Sequence, residues 1–350
     1  MARMLSRVPD DIDKREGSII WNALAPAARE LEALYIELDL NYNLSFADTA
    51  TGEFLSRRTA EFGVNRRPAT RARREGRFYD AQDNLMDVPI GSRFAIDNTN
   101  YTVISKISTG VFVLECEQPG TVGNLFFGTM LPIDYVEGLA RAELGDVLVP
   151  GEDEEDDETL RRRYFQAVNE PPFGGNVADY KQKVGSIDGV GGVKVFPAWQ
   201  GGGTVKCTII ASDFNSPSQL LIDEVQEIID PLDSQGQGLG LAPIGHRVTI
   251  AGVQEVTVNV ETTVTLSSGM TPGQVQGLIE GVISDYLLEL RRSWADEEQL
   301  VVRIAQIEAR ILTVPGVIDV GGTTLNGTAA NLVLDEEQIP QLGTVTIYAN

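Results

Sequence analysis

The sequence predicts an α+β, multidomain protein, and three observations carry that prediction. A heptad-spaced helical seam runs through residues 20–38. From Arg77 to Val136 the texture changes to short alternating runs separated by turn residues, the pattern of a small antiparallel β domain. Further on, helix–strand–turn–strand segments occur around 180–210 and again around 304–347, which implies two related α+β halves. At 350 residues the chain is too long for one ordinary core. We expect an N-terminal helical segment with an arginine-rich connector (1–76), a small β domain (77–145), a central α+β domain (146–250) and a C-terminal α+β domain (251–350).

Ile20, Leu24, Ala27, Leu31, Leu34 and Leu38 recur at spacings of four and three, as a coiled-coil seam requires. Glu30, Glu32, Glu37 and Asp39 keep other faces of the same helix wet, and Ser18 is placed to cap it. Pro26 either bends this helix or marks its true start. The seam packs on a partner helix from another chain or on this chain's own β domain. A shorter helix spans Gly52 to Phe62 and ends at Gly63. Eight arginines follow or overlap it: Arg57, Arg58, Arg66, Arg67, Arg71, Arg73, Arg74 and Arg77. They read as a basic interaction patch for an acidic surface, another copy's 152–158 run included, or as a solvated linker.

The β runs are RFYD, VPIGSRFAID, YTVISKIS, VFVLECE and MLPIDYVE; PGTVGNLFFGTM between the last two reads as a structured loop. Residues 152–158 are all acidic and precede Arg161, Arg162 and Arg163, which suits the dipole of a solvated helix start better than a metal site. Pro171–Pro172 and Gly174–Gly175 break that helix, and Asn176 caps the next. VKVFPAW and TVKCTII read as strands, SPSQLLIDEVQEIID as a helix capped near Ser216 or Ser218, and RVTIAGVQEVTVNVETTVTL as one or two strands. A helix from Thr271 presents Val275, Leu278, Val282 and Ile283 on one face, and EEQLVVRIAQIEARIL reads as another. GVIDVGG, NLVL and GTVTIYAN close the chain.

A net charge of −23 argues against wrapping nucleic acid or lying on an anionic membrane. No apolar run reaches the length of a membrane span, and the first residues lack a secretory core, so a reducing cytoplasm is expected. Cys116 and Cys207 sit in separate apolar strands and read as buried hydrophobes. The single histidine, His246, begins a strand with no nucleophile or ligand cluster signalled around it, and SQGQGLGLAPIGH lies after a helix, the wrong place for a dinucleotide loop. No catalytic residue, cofactor or metal site is expected.

In order, several stretches resemble the baseplate J-like proteins of contractile phage tails and related contractile particles. They are ATGEFLSRRTAEFGVNRR at 50–67, PGTVGNL at 119–125 with Gly128, and GEDEEDDETLRRR at 151–163. FGGNVADY at 173–180, VKVFP at 193–197 and APIGH at 242–246 complete the series. The resemblance implies a non-enzymatic wedge component in a virion tail baseplate, assembled in the host bacterial cytoplasm. Two copies per wedge would form a sixfold ring around the hub and tail tube. Implied partners are other copies of itself, small helical wedge proteins, and hub and sheath-initiating proteins. Such a ring would pass motion from the periphery to the sheath and trigger its contraction. We place its joints at the breaks near Pro68, at 144–151 ending in Gly151, and at Pro171, Pro172, Gly174 and Gly175. The alternative is a host-glycan-binding or carbohydrate-processing tail protein, for which Trp199 is the one loop-edge aromatic of its type.

Overall fold

A computed structural model describes residues 1–169 and 173–349. The chain divides into two compact units, Met1–Pro68 with Glu154–Pro171, and Ala69–Asp153 with Pro172–Asn350.

In the first unit, α1 (Ala2–Leu5) is short and α2 (Ile19–Leu44) is long. Ser18 Oγ accepts from Trp21 N at 3.2 Å, so the helix starts where its cap predicts and continues through Pro26. Pro26 is the eighth residue of the helix, so the helix carries through it with the Asn22 carbonyl lacking the N–H that any other residue would supply. α3 (Gly52–Ala60) and α4 (Asp157–Asn169) pack Leu55 against Leu160 and Tyr164, with Ala47, Ala50 and Val64 completing the core. Arg161 ties the α2–α3 connection to α4 by donating to the carbonyls of Ala47 and Ala50 at 2.8 and 2.7 Å.

The second unit begins with a closed antiparallel barrel of β1 (Arg71–Tyr79), β2 (Arg93–Ile96), β3 (Thr99–Ser108), β4 (Val111–Pro119), β5 (Gly128–Pro132) and β6 (Arg141–Val149). Its strands run β1-β4-β3-β2-β5-β6, and β6 closes on β1. Phe78, Phe94 and Phe112 meet at its centre with ring separations of 4.8 and 5.6 Å. Two expectations are corrected here. The second half of the arginine-rich connector is strand β1, because Ala72, Arg74, Gly76 and Phe78 alternate inward while the charged residues between them face out. The stretch at 144–151 is mostly strand β6, paired with β1 as far as Val149 and with β5 at Leu144, where sequence suggested a joint.

α5 (Val177–Val184) and α6 (Gln219–Ile229) cover a sheet of β7 (Val190–Pro197), β8 (Thr204–Ala211) and β9 (Arg247–Gly252). β8 is central, antiparallel to β7 and parallel to β9. The C-terminal module sets β10 (Gln254–Leu266) between β12 (Val317–Leu325), antiparallel, and β14 (Gln338–Ala349), parallel. α7 (Pro272–Ser293) and α8 (Ile304–Ile311) cover it, and β11 (Val301–Val302) pairs with β13 (Leu332–Val333). The face of α7 turned inward is Val275, Ile279, Ile283, Tyr286 and Leu287, whereas Leu278 is half exposed. The segment 297–312 becomes helical only at Ile304, since Val301 and Val302 are drawn into a ladder and Arg303 N donates to Tyr286 Oη. The two repeat-like segments differ in topology. The first forms a hairpin of β7 and β8, while β12 and β14 flank β10 on opposite sides.

The modules of this unit are tied together. Arg73 of β1 clasps Glu224 of α6 through two bonds, at 2.7 and 2.5 Å. Val149 at the end of β6 belongs to the core under α5 and α6. Ile210, Val253, Trp294, Leu300, Leu334 and Ile339 form a further core joining the central and C-terminal modules.

Candidate interaction surfaces

Helix α2 buries none of its residues, although apolar side chains dominate it. Of its seam, Ile20 and Leu24 are half-buried and Ala27 is exposed. Leu31, Leu34 and Leu38 are 39%, 58% and 62% exposed. Arg3 crosses from α1 to bond Tyr35 Oη at 2.6 Å, leaving a groove lined by Met4, Trp21, Ala25, Ala28 and Leu31.

The arginines do not share one surface. Arg57 is exposed, and Arg58 pairs with Glu61 while lying over the Phe62 ring. Arg66 bonds the carbonyl of Glu155, the hydroxyl of Ser56 and the Asp157 carboxylate. The backbone N–H of Arg67 donates to Glu155 at 3.1 Å. Arg71 faces Glu115, Arg73 holds Glu224, and Arg77 bonds Glu75. Arg74 is fully buried. It donates to the carbonyls of Gly123, Phe126 and Gly145 at 2.6–2.8 Å, and burial lowers its basicity. Hydrophobic patterning hides this arrangement, because an inward-facing arginine is indistinguishable in sequence from an outward one.

The acidic run is likewise less solvated than expected. Glu152 accepts from Gly189 N, and Asp153 accepts from the N–H and hydroxyl of Thr121. The Glu155 side chain is 4% exposed and pairs with Arg163 at 2.7 Å. Asp156 caps α4 through Thr159 N, a bond that holds its carboxyl below the usual range. Asp157 is lowered too, first by the N–H of Gly52 and then by Arg66. The helix-dipole role holds for Asp156, Asp157 and Glu158, of which Glu158 is well exposed. Charges of opposite sign, read in sequence as a patch and its possible partner on another copy, are matched within one chain.

Among the residues placed at joints, Pro68 is exposed. Gly151 is locked: its N–H donates to Asn124 Oδ1, and its carbonyl accepts from Asn124 Nδ2, both at 2.9 Å. A Cβ at Gly151 would lie 2.5 Å from Gly120 O and 2.7 Å from Ala72 N. That contact explains the Gly–Asn loop at 119–125, whose chemical purpose the sequence alone left open. Pro171 and Pro172 lie outside the described residues. Gly174 has open space around it, whereas Gly175 adopts φ +85 and packs against Pro243 and His246. His246 Nδ1 bonds Tyr180 Oη at 2.8 Å inside this packing.

Trp199 is 39% exposed, with the Lys206 ammonium 5.3 Å from its ring. Cys116 and Cys207 are buried free thiols, and burial pushes the Cys207 thiol up to about 12. Among the described residues, no three His, Cys, Asp or Glu side chains converge as metal ligands would, and no helix is long and apolar enough to cross a membrane. Sequence reasoning missed Glu337, which accepts from Lys206 and Thr208 where the last two modules join. No spacing signal marks that contact, which links residues about 130 positions apart.

Comparison with known proteins gives the family. Residues 172–252 match the model of the baseplate J-like central domain, and 258–348 match that of the baseplate J-like protein C-terminal domain. Protein YqbT of Bacillus subtilis (strain 168) is 42% identical over 99% of this chain and 96% of its own length. The phage-like element PBSX protein XkdT of the same organism is 40% identical over the same shares. The baseplate protein gp47 of Escherichia phage Mu is 28% identical over 57% of this chain and 58% of its own. The chain therefore belongs to the baseplate J-like family, structural proteins of the baseplates of phage-like contractile particles.

Proposed function

We propose that the chain is a wedge component of such a baseplate, present as two copies per wedge in a sixfold ring around the hub and tail tube. Its side chains make and break no bond. They supply fitted faces to other copies, to small helical wedge proteins, and to hub and sheath-initiating proteins, after assembly in the host cytoplasm. Motion enters at the ring and passes to the sheath through joints near Pro68 and at 171–175; the bonds holding Gly151 argue for removing 144–151 from that set.

The observation that carries this reading is α2. A 26-residue helix with no buried residue and a row of exposed leucines is stable in water only weakly by itself. A partner helix laid along Ile20, Leu24, Ala27, Leu31, Leu34 and Leu38 would cover that row. Coexpression of the full chain with small helical tail proteins of the same particle tests the reading. The native chain should retain a helical partner through purification. The double variant Leu34→Asp, Leu38→Asp should lose it at unchanged thermal stability. Equal retention by both would refute the seam.

A further inference from the structure

One end of the central module is free of acids in a chain that carries 51 of them. Residues 189–212 and 234–254 contain neither Asp nor Glu. Folding lays these two stretches side by side, since β8 and β9 pair in parallel from Thr204↔Arg247 to Ile209↔Gly252. Where both strands begin, the turn 198–203 meets the loop 235–246. Arg247 N donates to Gly203 O at 2.8 Å, and Gly245 N donates to Gly236 O at the same distance.

That end is apolar as well as acid-free. Ile244 and Leu239 are 82% and 73% exposed, Leu241 and Ile228 nearly half, and Trp199 lies at its rim. Gly238 seats the Ile244 side chain, and Leu241 N bonds Ile228 O, so these residues are held in one place. Together they expose on the order of 500 Å² of apolar surface, against roughly 800 Å² on each side of a standard interface. Two of the acids nearest to it are hidden and satisfied. Asp179 is buried and paired with Lys183, whose ammonium also bonds Leu241 O. Asp230 is buried and accepts from Gly236 and Val248 N–H. Asp233 and Glu227, the residue before Ile228, stand exposed, and Arg247 is exposed in the same loop system.

We propose that this end of the central module, centred on Leu239 and Ile244, is a docking surface for a second copy of this chain. Two copies each carrying −23 repel one another over most of their surfaces, so they approach at least cost where acids are missing. The apolar loop supplies attraction at that same place, and an apolar patch of this size is often functional. The proposal rests on the reading that copies of this chain meet in a ring, and it names where on the central module they do, apart from the α2 seam.

Sedimentation of the full chain over a concentration series tests the proposal. The native chain should self-associate, and added salt should strengthen the association by screening its charge. Ile244→Asp and Leu239→Asp should each weaken it about tenfold or more, without lowering the melting temperature, since both sites are exposed. Ile244→Ser, uncharged, should weaken it less. The Leu34→Asp, Leu38→Asp variant separates this proposal from the helix seam. Association that survives the loop variants and is lost with the α2 variant overturns the docking surface and leaves the seam standing. A native chain monomeric throughout also overturns it.

Discussion

Arg74 shows how much one residue can settle. Its guanidinium satisfies three carbonyls inside the barrel wall and lies 4.3 Å below the Phe127 ring. Arg74→Met keeps much of the volume and leaves those acceptors dry, so it should cost at least about 3 kcal/mol in urea unfolding. Gly151→Ala forces a methyl against the backbones of Gly120 and Ala72 and should cost about 1–3 kcal/mol, read in the same way. Glu117 gives a pH signature. The Arg93 guanidinium, with Thr102 and Asn100, holds its carboxyl at about 2, well below an ordinary glutamate. A depressed carboxylate contributes stability that is complete above its unfolded value and is lost as pH falls through its folded value. The melting-temperature gap between the native chain and Glu117→Gln should therefore be widest above about pH 4.3 and close as pH falls toward about 2.

The two long helices make a useful contrast at the scale of elements. α7 buries a continuous face against its sheet, whereas α2 buries none of its residues and leaves Leu31, Leu34 and Leu38 exposed. Leu55 in α3 is fully buried and Leu38 in α2 is 62% exposed. Leu55→Ala should cost about 2–5 kcal/mol, while Leu38→Ala should change the free chain by about 0.5 kcal/mol or less. Strand β1 teaches a related lesson. Four arginines from Arg71 to Arg77 look like a linker, yet Arg71, Arg73 and Arg77 alternate with Ala72, Arg74, Gly76 and Phe78 as in a strand with one face inside.

Over the whole molecule, ties across modules decide what can move. Barrel, central and C-terminal modules share cores at Val149 and around Trp294, and ion pairs at Arg73–Glu224 and Lys206–Glu337 reinforce them. These three modules should unfold in one calorimetric transition. Trp294→Ala, which empties the core joining the last two, should split that transition. Two transitions in the native chain would show the modules to be independent. In extended and contracted particles, residues 69–153 and 173–349 should superpose as one body.

Most helices and strands, several caps and the family are legible in the chain itself, while β1, the end of β6 and β11 are not. Ser18, Asn176 and Ser218 each accept the first-turn N–H that a cap requires, and these bonds are local. Periodicity reports which residues can face a core, because burial follows the helical and strand repeats. Tertiary structure alone decided which charges meet and which strands are neighbours. Arg66 finds Asp157 across 91 residues, Arg73 finds Glu224 across 151, and β10 takes β14 as its parallel partner. Such pairings depend on the position of the whole backbone, and a charge has no period by which its partner could be read.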